Sequence, residues 1–308
     1  MGIPQGIPHL AFGERSRCCH GNSAPVFPHQ RYYHKEAGSM IKLIVSDMDG
    51  TLLNDEKQID KRIYDLLPKM REEGIRFVVA SGRQYPSLAR DFQEHLPEIT
   101  VIAENGALVM QNEKELYFKG MNEKQIAHSL DIIETLPETE GLVCAKYCCY
   151  TTSQEVHDLL ASPKFHYDCE LVDDLYKMTD GVTKVSLMVY GNNTTQSCYD
   201  AMYPQLPEEM TLVISGDACL DTGIKGVTKG SALAALQEMW GISPEETLVF
   251  GDQFNDVEMF DQAYYSYAME NAMDGVKERA RFVAGNNNNG AVVDTICRLT
   301  GLTIEGEL

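Results

Sequence analysis

Apolar and polar positions follow one rhythm along most of this chain and a different one through its middle. Residues 41–46 form a short apolar run, after which Ile63, Leu66, Leu67 and Met70 recur at the spacing of one helix face. Pro68 falls inside that stretch and predicts a kink, because proline has no amide to donate and crowds the preceding turn. Gly74 predicts the helix end. "IRFVVAS" (75–81) predicts a second buried strand, the region around 85–95 a helix, and "ITVIAENGALVM" (99–110) a strand broken by the turn pair Asn105-Gly106. The rhythm returns after residue 229. "KGSALAALQEMW" predicts a helix, "TLVFGD" (247–252) a strand, "NDVEMFDQA" (255–263) a helix and "YSYAM" (265–269) a strand. A short helix near 273–280, a strand "RFVA" (281–284) and a last helix at 291–299 complete the series, with Asn286–Asn289 as a loop. Strands alternating with helices predict an α/β fold with a parallel sheet covered on both faces. In such a sheet ligands bind at the carboxyl ends of the strands.

Between residues 120 and 222 the rhythm breaks. "NEKQIAHSLDIIETL" predicts a helix, and "GLVCAKYCCYTT", "VTKVSLMVY" and "MTLVISG" predict strands spaced more widely, with helices between them. A segment of this size can build its own core, so 120–222 is expected to be an inserted domain, with 40–119 and 223–308 forming the main one. Residues 1–39 have no apolar periodicity and hold four of the 8 His and four of the 12 Pro. They contain no continuous apolar stretch of the kind a secretory signal needs. They are expected to be a disordered extension before a domain that begins at Met40, and their removal to leave folding and activity nearly unchanged.

Composition narrows the partners. The 308 residues are 44% hydrophobic and 23% charged, the balance of a globular protein, and no apolar run is long enough to span a bilayer. The formal charge is −20, from 46 Asp and Glu against 26 Lys and Arg. Residues 1–39 carry +2, which leaves −22 on the remainder. Such an excess disfavours nucleic acid and anionic membranes, while allowing an anionic small molecule where a local cation offsets the field. The 9 cysteines, with adjacent pairs Cys18-Cys19 and Cys148-Cys149 and no C-x-x-C, make a poor disulfide or zinc framework. Free thiols in a reducing cytoplasm are the expectation.

Against this background "KLIVSDMDGTLL" (42–53) sets Asp47 and Asp49 close together at the end of a buried strand, where like charges repel and raise each other's pKa. Three further segments put polar groups at strand ends or helix starts: "SGR" (81–83), "KG" (229–230) and "GDQFND" (251–256). Each residue alone has an ordinary explanation. An aspartate after a strand is commonly a turn former, Thr51 a turn hydroxyl, Ser81 a helix cap, and Asn255-Asp256 an N-terminal cap. Lys229 is harder to dismiss, since a helix start mildly disfavours a cation. Taken together, the segments would bring three carboxylates, a hydroxyl and an ammonium into one cleft. A divalent metal would relieve the repulsion, and Mg²⁺ is held by one or two carboxylates together with substrate phosphate. One carboxylate could then attack phosphorus while the other handles the leaving-group proton. Ser81 and Lys229 would steady the phosphoryl oxygens.

These four segments, in this order, resemble the haloacid dehalogenase superfamily, and in particular its Cof-like sugar-phosphatase branch. The resemblance covers roughly residues 40–300, and "DMDGTLL" and "GDQFNDVEM" are its most specific parts. It implies a Rossmann-like parallel-sheet core with a mobile, inserted α+β cap. By motif it makes Asp47 the nucleophile and Asp49 the general acid and later the base. Thr51, Ser81, Gly82, Lys229 and Asn255 become phosphate-binding residues, with Lys229 also restraining Asp47. Asp47, the backbone carbonyl of Asp49, and Asp252 become Mg²⁺ ligands, and Asp256 a support for Lys229 or the metal waters. Asp221-Thr222 departs from the branch's usual acidic-aliphatic pair at the exit from the cap. The expected activity is Mg²⁺-dependent hydrolysis of small phosphorylated metabolites. The alternatives are a phosphomutase or phosphotransferase, and a non-enzymatic domain phosphorylated on Asp47. The need for a general acid at Asp49 and the large insertion both favour an enclosed enzyme site. Arg83 is left open between a substrate anion and an acidic neighbour. Lys146, Lys184 and Tyr190 stand unranked as specificity residues, the oligomeric state is undetermined, and His20 and His34 read as parts of a solvated tail.

Overall fold

The structure, a computed structural model, describes residues 41–162, 167–216 and 218–304. The readings of residues 1–39, Met40, Cys18-Cys19, His20 and His34, and the last four residues of the chain, lie outside the described residues. In chain order the first elements are β1 (Leu43–Asp47), α1 (Arg62–Glu72), β2 (Arg76–Ala80), α2 (Tyr85–Phe92), β3 (Ile99–Ala103), β4 (Leu108–Gln111) and β5 (Lys114–Phe118). There follow α3 (Glu123–Glu134), β6 (Thr139–Ala145), β7 (Cys149–Thr151), α4 (Gln154–Leu160), β8 (Cys169–Leu171), β9 (Val182–Val189), α5 (Thr195–Met202), β10 (Met210–Gly216) and β11 (Cys219–Ile224). The chain then returns through α6 (Lys229–Trp240), β12 (Thr247–Gly251), α7 (Val257–Phe260), β13 (Tyr265–Ala268), α8 (Asp274–Lys277), β14 (Phe282–Val283) and α9 (Ala291–Thr300).

Among the described residues these strands form one eight-stranded sheet, β14-β13-β12-β1-β2-β3-β4-β5, and one six-stranded sheet, β10-β11-β9-β6-β7-β8. In the first, β1 lies between β12 and β2 and pairs parallel with both. All five residues of β1, β3 and β12 are buried, as continuous apolar strands covered on two faces must be. The sheet is not parallel throughout: β4 and β5 pair antiparallel at one edge. The β4–β5 connection turns at Asn112 (φ 47°) and Glu113 (φ 61°), the pair of positive angles that suits a two-residue hairpin.

Helix α1 runs through Pro68 unbroken. Its four apolar anchors, Ile63, Leu66, Leu67 and Met70, are at most 1% exposed. A buried aliphatic side chain contributes about 1.5–3 kcal/mol, so together they outweigh the roughly 3 kcal/mol that a mid-helix proline costs. Helix α2 is shorter than expected. It ends at Phe92, and a 3₁₀ turn containing Pro97 carries the chain on to β3. The helix expected over 255–263 also shrinks, to a 3₁₀ turn at Phe254–Asp256 followed by α7.

The second sheet belongs to the cap. Its strands pack against α3 and α5 around Val143, Val185, Leu187, Leu220 and Met202, a cluster separate from that of the first sheet. "GLVCAKYCCYTT" is two strands rather than one, closed as a hairpin by Ala145 N–H donating to the Cys148 carbonyl at 2.9 Å. The seven described cysteines are free thiols. No helix among the described residues is long and apolar enough to cross a membrane.

Candidate active site

Asp47 closes β1, and its carboxylate is held from one side only. Oδ1 accepts a hydrogen bond from the Lys229 ammonium at 2.6 Å, while Oδ2 is buried and has no hydrogen-bond partner. Lys229 is the first residue of α6, whose N-terminus is capped by Thr228 and Ser231. It is 1% exposed and donates also to Asp256 Oδ1 at 2.7 Å, so two carboxylates outweigh the unfavourable helix start. Burial alone would push the lysine pKa down, but Asp47 and Asp256 carry it well above its ordinary value. Burial, reinforced by the charge of Asp256, pushes Asp47 the other way from a normal carboxylate, well up despite Lys229.

Asp252 and Asp256 follow β12. Asp256 is fully buried and aligns the loop: its Oδ2 accepts the backbone N–H groups of Asp252 at 2.9 Å and Gln253 at 3.0 Å. Asp252 Oδ1 accepts the Thr51 hydroxyl at 2.9 Å, and burial raises its pKa. Asp47, Asp252 and Asp256 each offer an oxygen within 4.8 Å of the others. Gly50 lies against them with φ 82°, and a Cβ there would collide with the Asp252 carboxylate. A hard cation fits this donor set. The oxygens it offers are all carboxylate, the hard donors that such a cation prefers.

Asp49 pairs with two cations of its own. Arg83 grips it with two bonds, Nε to Oδ2 at 2.7 Å and Nη2 to Oδ1 at 2.5 Å, and Lys57 adds a third at 2.9 Å. Burial opposes its ionised form, but the Arg83 and Lys57 contacts prevail and hold its pKa below the usual range. Arg83, left open by the sequence, therefore chooses an acidic neighbour, and reaches Asp91 as well at 3.1 Å.

Ser81 ends β2 and is 2% exposed. Its hydroxyl oxygen accepts the Arg83 N–H at 3.2 Å. Gly82 sits under the Asn105 side chain, and Asn255 donates to Asn105 Oδ1 at 3.0 Å. The structure thus brings Asp47, Ser81, Gly82, Lys229, Asp252, Asn255 and Asp256 to one end of the sheet. Thr51 joins them through its hydroxyl, which donates to Asp252. Asn105 was read only as half of a turn pair, although it bridges two of the motifs. No spacing rule along the chain would reveal that bridge. Of the three cap candidates, Lys146 pairs with Glu115 at 2.7 Å, the Tyr190 hydroxyl is buried without a partner, and Lys184 lies across from the core residue Glu104.

A family model described as haloacid dehalogenase-like hydrolase matches residues 44–296. The Escherichia coli K12 protein named 5-amino-6-(5-phospho-D-ribitylamino)uracil phosphatase YbjI is 36% identical over 258 residues, covering 83% of this chain and 95% of that one. A crystallised protein from Eubacterium rectale superposes with a TM-score of 0.78 at 26% identity, over 84% of this chain and 99% of its own. SMU.1108c of Streptococcus mutans superposes with a TM-score of 0.74 at 29% identity, over 85% of this chain and all of its own.

Proposed function

The chain belongs to the haloacid dehalogenase-like hydrolases and is a phosphatase of their Cof-like type, and from that membership we propose Mg²⁺-dependent hydrolysis of small phosphate monoesters through an aspartyl-phosphate on Asp47. The observation that carries this reading is the divided Asp47 carboxylate, one oxygen tied to Lys229 and the other free. An attacking carboxylate needs that arrangement, oriented by one oxygen and reactive through the other.

Lys229, the Ser81 hydroxyl, the loop at Gly82 and Asn255 hold the phosphoryl group. Asp47 Oδ2 forms a bond to phosphorus while the ester P–O bond breaks, and the departing oxygen takes the proton of Asp49. Water then attacks phosphorus, Asp49 accepts a proton from it, and the Asp47–phosphorus bond breaks to release inorganic phosphate. Asp47, Asp252 and the Asp49 carbonyl would hold Mg²⁺, which would supply charge compensation for the phosphoryl oxygens. Thr51 acts by orienting Asp252, and Asp256 by orienting Lys229 and the 252–253 backbone. The second half-reaction needs Asp49 ionised, the state that Arg83 and Lys57 favour. The first needs it protonated, so the arriving ester has to loosen that grip.

The substrate named for the Escherichia coli relative, a phosphorylated ribitylamino-uracil, is the first ester to try. The experiment is phosphate release from a panel of phosphorylated metabolites including that one, with Mg²⁺ and with EDTA. Release dependent on Mg²⁺, and independent of any second sugar, is expected. Phosphate transfer only in the presence of an acceptor sugar would make the enzyme a mutase or phosphotransferase instead.

A further inference from the structure

Gly50 and Leu53 bound the turn that follows Asp49, and the backbone carbonyl of each is held by an asparagine from 221 and 234 residues further along the chain. Asn271, in the loop between β13 and α8, donates from Nδ2 to the Gly50 carbonyl at 2.7 Å. Asn287 donates from Nδ2 to the Leu53 carbonyl at 3.0 Å. The two asparagines are themselves linked, since the Asn287 backbone N–H donates to Asn271 Oδ1 at 3.1 Å. Position 271 therefore uses a donor and an acceptor on one short side chain, which asparagine supplies and neither aspartate nor leucine does. Asn287 is 4% exposed, and its Oδ1 has no hydrogen-bond partner. A buried amide oxygen left unpaired is costly, and what offsets it here is the nitrogen on Leu53. The quartet Asn286–Asn289, a loop by sequence, thus has one member built into the catalytic end of the sheet.

The pinned turn bears directly on Asp252. Thr51, inside it, donates to Asp252 Oδ1, and Gly50 lies so near the same carboxylate that a Cβ would collide with it. The loop that carries Asn271 also holds the other side. The Met269 and Met273 N–H groups donate to the carbonyls of Gly251 at 3.0 Å and Asp252 at 3.3 Å. One loop outside the four sequence motifs therefore fastens both segments whose carboxylates would share the cation. Resting on the metal reading above, we propose that Asn271 and Asn287 are positioning residues for the Mg²⁺ site, setting Asp252 against Asp47 through the Gly50–Leu53 turn. Both act through that turn, and neither touches the cation or the ester. Residues that orient metal ligands in this way change metal affinity by about 10–100-fold.

The test is calorimetric binding of Mg²⁺ to the metal-free full chain in wild type, Asn271→Ala, Asn287→Ala and Asn288→Ala, with a melt of each in EDTA. Asn288 belongs to the same quartet, but its side chain bonds Asp55 and Asn286. The Kd is expected to rise about tenfold in Asn271→Ala and Asn287→Ala, and to stay within about twofold of wild type in Asn288→Ala. Phosphate release from para-nitrophenyl phosphate should fall in the first two variants at low Mg²⁺. It should return to near wild type when Mg²⁺ is raised, because the groups that meet the ester are intact. Should Asn287→Ala fail to fold, Asn271→Ala decides alone, since Asn271 is exposed. A Kd within about twofold of wild type in Asn271→Ala would overturn the proposal. So would an equal weakening in Asn288→Ala with a lowered melt in all three variants, which would make the asparagines a brace for the fold alone. A loss of phosphate release that excess Mg²⁺ does not restore would overturn it too. If wild type itself takes up no Mg²⁺, the metal reading fails first and this one with it.

Discussion

The two oxygens of Asp47 have opposite surroundings, and the proposed attack on phosphorus depends on that difference. Asp47→Asn should abolish turnover, because an amide neither attacks phosphorus well nor pairs with Lys229. Asp49→Ala should slow turnover about 10²–10⁴-fold, the usual worth of general acid–base help, and accumulate phosphoenzyme visible by intact mass. Unimpaired turnover in Asp47→Asn would exclude it as the nucleophile. Lys229→Met should cost about 3–5 kcal/mol in a denaturant melt, since it strands two buried carboxylates without their cation. Arg83→Ala should raise the pKa of Asp49, because the contact removed favours its ionised form. The rate limb that requires ionised Asp49 should then move to higher pH, and an unmoved profile would show that Arg83 does not govern it. At this scale the sequence was most legible where chemistry restricts the residue type, as at Asp47, Lys229 and Asp252. It was silent on which neighbour a polar side chain selects. Thr51 turned to Asp252, and Arg83 to Asp49, because contacts made across more than thirty residues leave no trace in local spacing.

The turn from Glu104 to Gly106 ties the elements together, since it touches the β2 loop, the start of α6 and the cap. Gly106 has φ 103°, and a Cβ there would collide with the Thr228 carbonyl at the cap of α6. Gly106→Ala should therefore introduce roughly 1–3 kcal/mol of strain and shift Lys229 with the helix start. A lowered melting temperature together with a lowered kcat is the expected pair, and a fall in neither would show that the turn tolerates the side chain. Long buried elements were readable because their apolar runs and helical spacing have no competing explanation, as in β1, β2, β12 and α9. Strands β5, β8 and β11 were missed: β5 and β8 have no buried residue and so no apolar run, and β11 carries Asp221, Thr222 and Gly223 at its middle, which resemble a loop. At Pro68 the helix stays continuous. A local rule about the backbone was outweighed by tertiary burial of its neighbours on the same helix.

For the whole molecule, a net charge of −20 and a cluster of three buried aspartates should make cation binding a global stabiliser. Mg²⁺ should stabilise the fold by mass action, by about 2.7 kcal/mol at a concentration one hundredfold above its Kd, and so raise the melting temperature. Ca²⁺ should bind but support poor turnover, because its longer and more variable coordination suits in-line attack less well. Melts and phosphate release in EDTA, Mg²⁺ and Ca²⁺ check both, and full hydrolysis in EDTA without any melt shift would exclude a metal site. The order of the elements along the chain has a consequence for biosynthesis. Lys229 lies 182 residues beyond Asp47, and Asp252 lies 201 beyond Thr51, with the whole cap between. At roughly 5–20 residues per second, about 10–40 s of translation separate Asp47 from Asp256, the last residue of the cluster. During that interval the cap can close its own hairpins, while β1 waits on the ribosome with the edge meant for β12 unpaired, a surface open to wrong partners. A stalled chain would carry Asp47 but not the ammonium that orients it. On the proposed mechanism, hydrolysis should start only once the stretch through Asp256 has emerged and folded back, so that unfinished chains stay inactive.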